Sequence, residues 1–358
     1  MKQNILISTG GSGGHVIPAL IFYEHLKDYF DVSLSSDLRG SKFIDDKSYN
    51  LKIIDVSPVS KNIILLPYKI LLFIFAILKS LTFLKKNKLK IVISTGGYMS
   101  LPVCIAAKIL NCKIILFEPN IVIGRANRFL LKTCYFIFCY SEKIINFPNR
   151  YNKKIRLIPP LLRKEIYSQK RINNYKISEK KKILIIGGSQ GADFFQNNLK
   201  EVILRLSKKF QLEVIHQASN KNHQTLKIFY KQNKIKFDLF SFKNNLYKSI
   251  LESDVCITRS GASSLAELVH LNLPFVAIPF PYAKDKHQLY NALFYKNLNC
   301  CWLLEQDLNI SDNLYNLISN IFVNKDETYK KIDAMKKISY ENSWNNIKHK
   351  IISIINEN

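Results

Sequence analysis

A chain of 358 residues, 47% hydrophobic and 22% charged, is ordinary for a soluble globular protein and long enough for two domains with separate cores. Its formal net charge of +26 is spread along the whole chain with heavy use of Ile, Asn and Lys, which favours anionic partners such as phospholipid, nucleotide or pyrophosphate. No recognition-helix, zinc-finger or aromatic RNA-binding signature accompanies the charge, so nucleic acid is not expected as a partner. The seven cysteines (Cys104, Cys112, Cys134, Cys139, Cys256, Cys300, Cys301) fall mostly in apolar runs without zinc or redox spacing. That usage reads as reduced, buried thiols in a cytosolic protein. The N-terminus enters a strand almost at once, which leaves no room for a signal-peptide core.

The first predicted strand, ending Ile5-Leu6-Ile7-Ser8-Thr9, empties into Gly10-Gly11-Ser12-Gly13-Gly14-His15 and then a helix. A turn of this kind leaves backbone N–H groups at the positive end of a helix dipole, where phosphate binds well. Taking Gly11 and Gly13 as the start of G-x-G-x-x-G puts Val16 at the last glycine, so a dinucleotide fingerprint is weak. The lysine of an ATPase loop is missing too. The plain alternative is a tight turn with no ligand. His15 precedes Pro18, a favoured first-turn residue, and is expected at a helix N-terminus. There the dipole opposes imidazolium, leaving the ring able to accept a proton, or simply to bond a phosphate or a neighbouring backbone group.

Strands follow near Val32 and Ile53. The run from Ile63 to Leu84 is then apolar nearly all round a helix and leads into Lys85-Lys86-Asn87-Lys88. Lys69 and Lys79 interrupt it, leaving no unbroken span of about 18 apolar residues to cross a bilayer. A lysine-fringed helix of this kind suits an in-plane membrane contact, and a central core helix is the other reading. Further strands are expected near Ile91, Ile114 and Phe136. The first opens a third glycine turn, Ser94-Thr95-Gly96-Gly97-Tyr98, and the second leads into Glu118-Pro119-Asn120.

Ile155 to Lys182, with Pro159-Pro160 and a lysine-rich stretch, reads as a linker. Beyond it, Ile183 to Ile186 opens Gly187-Gly188-Ser189-Gln190-Gly191, and strands follow near Val214, Phe237, Val255 and Phe275. Strands alternating with helical patterns imply an α/β protein of two Rossmann-like domains with parallel sheets, whose ligands sit beyond the carboxyl ends of the strands. The predicted domains are 1–160 and 161–339, with a final helix over 340–358 whose Trp344, Ile347, Ile351 and Ile354 stripe packs back on the first. The helix after Gly261 carries an apolar stripe of Ala262, Leu265, Ala266 and Val269, ends at Asn272 and Pro274, and has Ser263, Ser264 and Glu267 opposite. Glu267 is placed either to accept two ribose hydroxyls or to close a capping box with Ser264.

Together these segments resemble the MurG family of bacterial peptidoglycan glycosyltransferases. The resemblance rests on G-G-S-G-G-H at Gly10 to His15, G-G-Y at Gly96 to Tyr98, G-G-S-Q-G-A at Gly187 to Ala192, R-S-G-A-S-S-L-A-E ending at Glu267, and D-x-H-Q from Asp285 to Gln288 followed by Asn291-Ala292. It implies a GT-B fold, two domains facing across a cleft, and metal-independent inverting transfer without a cofactor. The donor would be UDP-N-acetylglucosamine, and the acceptor undecaprenyl-pyrophosphoryl-N-acetylmuramoyl-pentapeptide (lipid I), at the cytoplasmic face of an anionic inner membrane. It implies Ser189 on the donor phosphates, Ala262, Ser263, Ser264, Leu265, Ala266 and Glu267 on the nucleotide, Gln288 on the sugar and Arg163 near the uracil. Ser12, Gly13, Gly14 and Asn120 would reach the transferred sugar. Gly10, Gly11, Gly96, Gly97 and Tyr98 would cradle the acceptor pyrophosphate, with His15 as candidate base. The chain departs from the family at Phe117-Glu118-Pro119-Asn120-Ile121 and at Pro159-Pro160-Leu161-Leu162-Arg163, where only the asparagine, glutamate and arginine match. The rivals are a UDP-N-acetylglucosamine 2-epimerase, which shares fold and donor but has no use for an apolar membrane helix, and a non-catalytic membrane-surface binding protein.

Overall fold

The computed structural model describes residues 2–45, 47–56, 64–169, 180–243, 245–339 and 342–357, with the backbone alone for 188–193. The chain divides into two compact units, Met1–Lys164 with Ser343–Asn358, and Glu165–Asn342. The first unit begins β1 (Asn4–Ser8), α1 (Gly13–Leu26), β2 (Asp31–Ser36), α2 (Leu38–Ser41), β3 (Leu51–Ile53) and α3 (Leu66–Lys86). It continues β4 (Ile91–Ser94), α4 (Leu101–Ile109), β5 (Lys113–Glu118), α5 (Arg125–Leu130), β6 (Phe136–Cys139) and β7 (Ile155–Leu157). Next come α6 (Lys164–Tyr167), β8 (Lys180–Ile186), α7 (Gly188–Ser207), β9 (Gln211–Gln217), α8 (Asn220–Gln232), β10 (Lys236–Phe240), α9 (Leu246–Glu252) and β11 (Val255–Thr258). The second unit closes with α10 (Ala262–His270), β12 (Phe275–Ala277), α11 (His287–Asn297), β13 (Trp302–Leu303), α12 (Ile310–Val323) and α13 (Lys325–Ser339). Helix α14 (Trp344–Asn356) belongs to the first unit.

Among the described residues the first sheet runs β3-β2-β1-β4-β5-β6-β7 and the second β10-β9-β8-β11-β12-β13, with parallel pairing throughout. Helices cover both faces, so the central strands are buried outright and read as unbroken apolar runs, as in Ile91–Ser94 and Val255–Thr258. Strand order reverses between β1 and β4, and again between β8 and β11. Those two places are the switch points at which open parallel sheets bind ligands.

Some elements differ from the sequence reading. The expected linker over Ile155 to Lys182 opens with β7, which pairs with β6 at Ile137↔Ile155, and β8 begins at Lys180. Its residues 170–179 lie outside the described residues. Strand β13 has no predicted counterpart, because two residues carry no periodicity. Pro18 is a second-turn residue of α1 rather than a first-turn one, since the helix begins at Gly13. The missing N–H of Pro18 therefore leaves the Gly14 carbonyl without its helical partner.

Helix α3 is neither a core helix nor free of the core. Ala76, Ser80 and Leu84 are buried, and Phe73, Ile77 and Leu81 pack against the first unit's core. The opposite face leaves Tyr68 57%, Leu71 64%, Phe75 66% and Leu78 54% exposed. By length and composition the helix could also cross a membrane, but its inner face is already occupied by protein. Ile63, where the predicted run begins, lies outside the described residues.

Helix α14 buries Ile347, Ile351, Ile354 and Ile355. Its Trp344 stacks on His25 of α1 with ring centroids 3.7 Å apart. His25 is fully buried, and neither ring nitrogen has a hydrogen-bond partner among the described residues. Burial, helped by the charge of Lys348, pulls its pKa down to about 3. The folded state thus prefers neutral imidazole, and its stabilisation is complete above the unfolded pKa near 6.5 and fades as pH falls toward 3. Replacing His25 with Phe, which keeps a ring under Trp344, should remove about 1.4 kcal/mol of the stability lost between pH 7.5 and 5.5. Urea titrations at both pH values measure it; equal losses in wild type and variant would contradict the burial argument.

Candidate functional site

In the first unit, the turns after β1 and β4 meet at the switch point. The strands end in register at Ser8↔Ser94, the Thr95 N–H donates to the Ser8 carbonyl (3.1 Å), and the Thr95 hydroxyl donates to Thr9 Oγ1 (2.8 Å). Gly96 and Gly97 have φ of +88° and +82°, a region that side chains rarely enter. This conformation makes room for the His15 ring, whose atoms would lie 3.3–3.5 Å from a Cβ on either glycine.

His15 Nδ1 lies 2.9 Å from the Thr95 carbonyl oxygen. A carbonyl only accepts, so Nδ1 carries the proton, and in the neutral ring Nε2 is the nitrogen with the lone pair. No partner for Nε2 is found among the described residues. His15 is the third residue of α1, whose N-cap Ser12 makes no side-chain cap bond. The first-turn N–H groups of Gly13 and Gly14 have no acceptor among the described residues and lie at the positive end of the helix.

Not every glycine N–H in these turns is open. The Gly11 N–H donates to the Asp37 carboxylate (2.7 Å), and the Gly96 N–H to Ser94 Oγ (3.2 Å). Of the residues expected to cradle a pyrophosphate, Gly10 and Gly11 shape their turn, while Gly97 has no acceptor for its N–H among the described residues. Tyr98 is half-buried against Phe73 of α3 at 5.7 Å, and burial raises its pKa. The loop after β5 is organised by Glu118, only 3% exposed. It accepts the N–H of Asn120 (3.2 Å) and of Gly124 (2.7 Å), with the side-chain amides of Asn120 (2.9 Å) and Asn127 (3.0 Å). Asn120 thus lies on the same rim with its amide turned to Glu118. Arg163 follows edge strand β7 in the chain and is half-buried just before α6.

In the second unit, α7 and α10 start beside the switch point on glycine N-caps, Gly187 and Gly261, that offer no side-chain cap. Ser189 lies in the first turn of α7, and its side chain falls outside the described residues. On α10, Ala262, Ser263 and Ser264 form the open first turn, and Leu265, Ala266 and Glu267 are buried. Because the helix starts at Ala262 with Gly261 as N-cap, the alternative capping box from Ser264 to Glu267 does not form. Glu267 is 8% exposed, one turn inside α10, which also packs against α13.

Gln288 Oε1 accepts the N–H groups of Ser260 (3.2 Å) and Phe280 (3.0 Å) and so joins the loops after β11 and β12. This fixes the amide orientation, and its NH2 has no acceptor among the described residues. Arg259 stands behind, donating to the carbonyls of Ile278 and Pro279 (both 3.0 Å) and to Gln306 Oε1 (2.9 Å). Burial lowers its pKa to about 10, so the guanidinium stays charged at neutral pH. Sequence reasoning passed over Phe242, 65% exposed just beyond β10, and Asp37 with Arg39. An Asp three residues before Gly40 is a turn signal that pointed to the latter. Among the described residues, no group of three or more His, Cys, Asp or Glu is placed to hold a metal ion.

Two Rossmann-like units, each a parallel sheet with a switch point, give the chain the GT-B fold. Residues 5–139 match the glycosyltransferase family 28 N-terminal domain and residues 182–347 the glycosyltransferase family 28 C-terminal domain. The UDP-N-acetylglucosamine–N-acetylmuramyl-(pentapeptide) pyrophosphoryl-undecaprenol N-acetylglucosamine transferase of Pelagibacter ubique is 49% identical over 358 residues, covering 100% of both chains. The crystal structure of Acinetobacter baumannii MurG superposes with a TM-score of 0.77 at 22% identity, over 99% of each chain. A UDP-N-acetylglucosamine 2-epimerase structure shares the fold with a TM-score of 0.69 at 14% identity, over 99% of this chain and 96% of its own. The chain belongs to glycosyltransferase family 28, in its MurG branch.

The seat of His15 makes a direct test. Gly97→Ala places a Cβ against the ring at φ +82° and ψ 158°, a region almost confined to glycine, which should cost about 1–3 kcal/mol of folding stability. Denaturant midpoints read this. An unchanged midpoint would mean that the turn is not held as described.

Proposed function

We propose that this chain is an inverting hexosaminyltransferase that moves N-acetylglucosamine from UDP-N-acetylglucosamine to lipid I, giving lipid II for peptidoglycan synthesis. The observation that carries the reading is the full-length identity of 49% with the Pelagibacter ubique transferase. The donor is assigned to the second unit. Its diphosphate meets the N-termini of α7, with Ser189, and of α10, with Ala262, Ser263 and Ser264. Glu267 accepts the ribose hydroxyls, Gln288 donates its NH2 to a sugar hydroxyl, and the exposed Phe242 ring offers an apolar surface to the flat base. Arg163 is assigned to the uracil end. The acceptor is assigned to the first unit, its diphosphate at the open N–H groups of Gly13, Gly14 and Gly97, with Ser12 and Asn120 toward the transferred sugar.

In the reaction, the acceptor hydroxyl oxygen bonds to the anomeric carbon as the bond from that carbon to the UDP oxygen breaks. The hydroxyl proton passes to His15 Nε2, and UDP leaves as an anion stabilised by backbone N–H groups already in place. Incubation with UDP-N-acetylglucosamine and a lipid I analogue should release UDP and yield a disaccharide-linked product. Conversion of the donor to UDP-N-acetylmannosamine, with no UDP released, would instead indicate epimerase chemistry. His15→Ala should lower turnover by at least about a hundred-fold while UDP affinity, measured by titration calorimetry, persists. Near-normal turnover would remove His15 as the base.

The outer face of α3 is assigned to the cytoplasmic surface of the inner membrane, which makes the chain a peripheral membrane enzyme. Each fully inserted apolar side chain contributes roughly 1.5–3 kcal/mol, and each lysine near an anionic surface roughly 1 kcal/mol that fades with salt. Leu71 and Phe75 are the exposed residues to change, since Phe73 packs inward. Leu71→Asp with Phe75→Asp should abolish co-sedimentation with anionic vesicles while leaving thermal melting unchanged. Full sedimentation of that variant would contradict the assignment.

A further inference from the structure

Asp37 lies outside every motif above, yet its carboxylate is 1% exposed. Oδ1 accepts the N–H groups of Gly11 (2.7 Å) and Gly40 (3.0 Å), and Oδ2 accepts Arg39 Nε (2.9 Å). Arg39 then reaches on, its Nη2 lying 3.1 Å from Met99 Sδ. One ion pair therefore touches the loops after β1, β2 and β4. Space is as restrictive as the bonding. A Cβ on Gly10 would lie 2.5 Å from Asp37 Oδ1 and 3.0 Å from Met99 Cβ, and one on Gly40 only 2.7 Å from Gly10 Cα. Burial pushes the Asp37 carboxyl up, but the hydrogen bonds from Gly11, Arg39 and Gly40, with the Arg39 charge, outweigh it and hold the group below the usual range.

We propose that Asp37 is a positioning residue for the acceptor half-site, and that Arg39 is its tie to the third glycine turn. The proposal rests on reading the chain as a transferase to a diphosphate-linked acceptor. Asp37 fixes Gly11 by its N–H, and the residues that follow within four positions are Gly13, Gly14 and His15, the open donors and the candidate base. The same pair holds Met99, which follows Gly97 and Tyr98. A carboxylate beside a diphosphate site would ordinarily repel the ligand. Here both oxygens are occupied by donors, one from a guanidinium, and the group is sealed from solvent. The pair thus sets the spacing between the two turns without presenting negative charge to the acceptor.

The test uses the full chain and three variants, Asp37→Ala, Asp37→Asn and Arg39→Gln, each assayed well below its melting temperature. The readouts are kcat and KM for a lipid I analogue and, separately, UDP affinity by calorimetry. Asp37→Ala should lower kcat/KM for the acceptor by roughly tenfold or more, since misplacement of a catalytic group by about 1 Å can cost a hundred-fold. UDP affinity should be unchanged. Asp37→Asn keeps an oxygen for the Gly11 and Gly40 N–H groups and should recover most of the loss. Arg39→Gln alters a side chain 56% exposed, which spares the fold, and should give an intermediate loss. Unchanged acceptor constants in Arg39→Gln and in the Asp37 variants that fold, with only melting temperature lowered, would overturn the proposal. An equal loss of UDP affinity would overturn it as well. A wild-type chain that transfers nothing to the analogue fails at an earlier point, the transferase reading itself.

Discussion

The hydrogen bond from His15 Nδ1–H to the Thr95 carbonyl decides which nitrogen of the ring faces outward, and much of the first unit serves to make it. β1 and β4 must be neighbours for the two residues to meet, which requires the sheet order to reverse there. Gly96 and Gly97 must adopt positive φ for the ring to fit. Thr9 and Thr95 close the join between the strand ends. With Nδ1 committed, Nε2 is the nitrogen left to exchange a proton. The same ring sits in the helix turn that begins with Gly13 and Gly14, whose N–H groups have no acceptor among the described residues.

The second unit solves a related problem with different residues. Its helices also begin on glycines at a switch point and leave backbone donors open. Orientation there comes from an amide rather than an imidazole. Gln288 spends its oxygen on two backbone N–H groups, so its NH2 points one way and cannot flip without losing both bonds. In each unit a side chain is locked through one polar atom and presents the other. That is preorganisation by hydrogen bonding, which needs no reorganisation when charge develops. The buried Arg259 and Glu118 support these loops from behind by bonding backbone carbonyls and N–H groups respectively.

Much of this was legible in the sequence because glycine turns announce strand ends. Gly10 to His15, Gly96 to Tyr98 and Gly261 to Glu267 are each found directly beyond β1, β4 and β11. What the sequence could not carry was adjacency: that β1 lies beside β4 follows from sheet topology, and no local pattern encodes it. Nor could it say which N–H groups were already spent. Gly11 reads as a phosphate donor until Asp37, 26 residues on, is found to hold it. The helix pattern put Ser263, Ser264 and Glu267 together opposite the apolar stripe, whereas in the fold Ser263 and Ser264 stay half-buried in the first turn and Glu267 is buried. Short edge elements such as β7 and β13 were hidden for another reason: two or three residues give no period. The two-sided apolarity of α3 was visible in sequence. The division into an inner face of Phe73, Ile77 and Leu81 and an outer face of Leu71, Phe75 and Leu78 needed the neighbouring helix α4.

The central claim is that the first unit holds His15 through Nδ1 and leaves Nε2 bare for proton transfer. Nitrogen-15 NMR of the chain labelled at histidine, at a pH where the ring is neutral, reports the tautomer directly. His15 is assigned by its absence from the His15→Ala spectrum. The account requires the Nδ1–H form, with Nε2 in the chemical-shift range of an unprotonated nitrogen. A dominant Nε2–H form would break the bond to Thr95 and contradict the arrangement on which the chemistry depends.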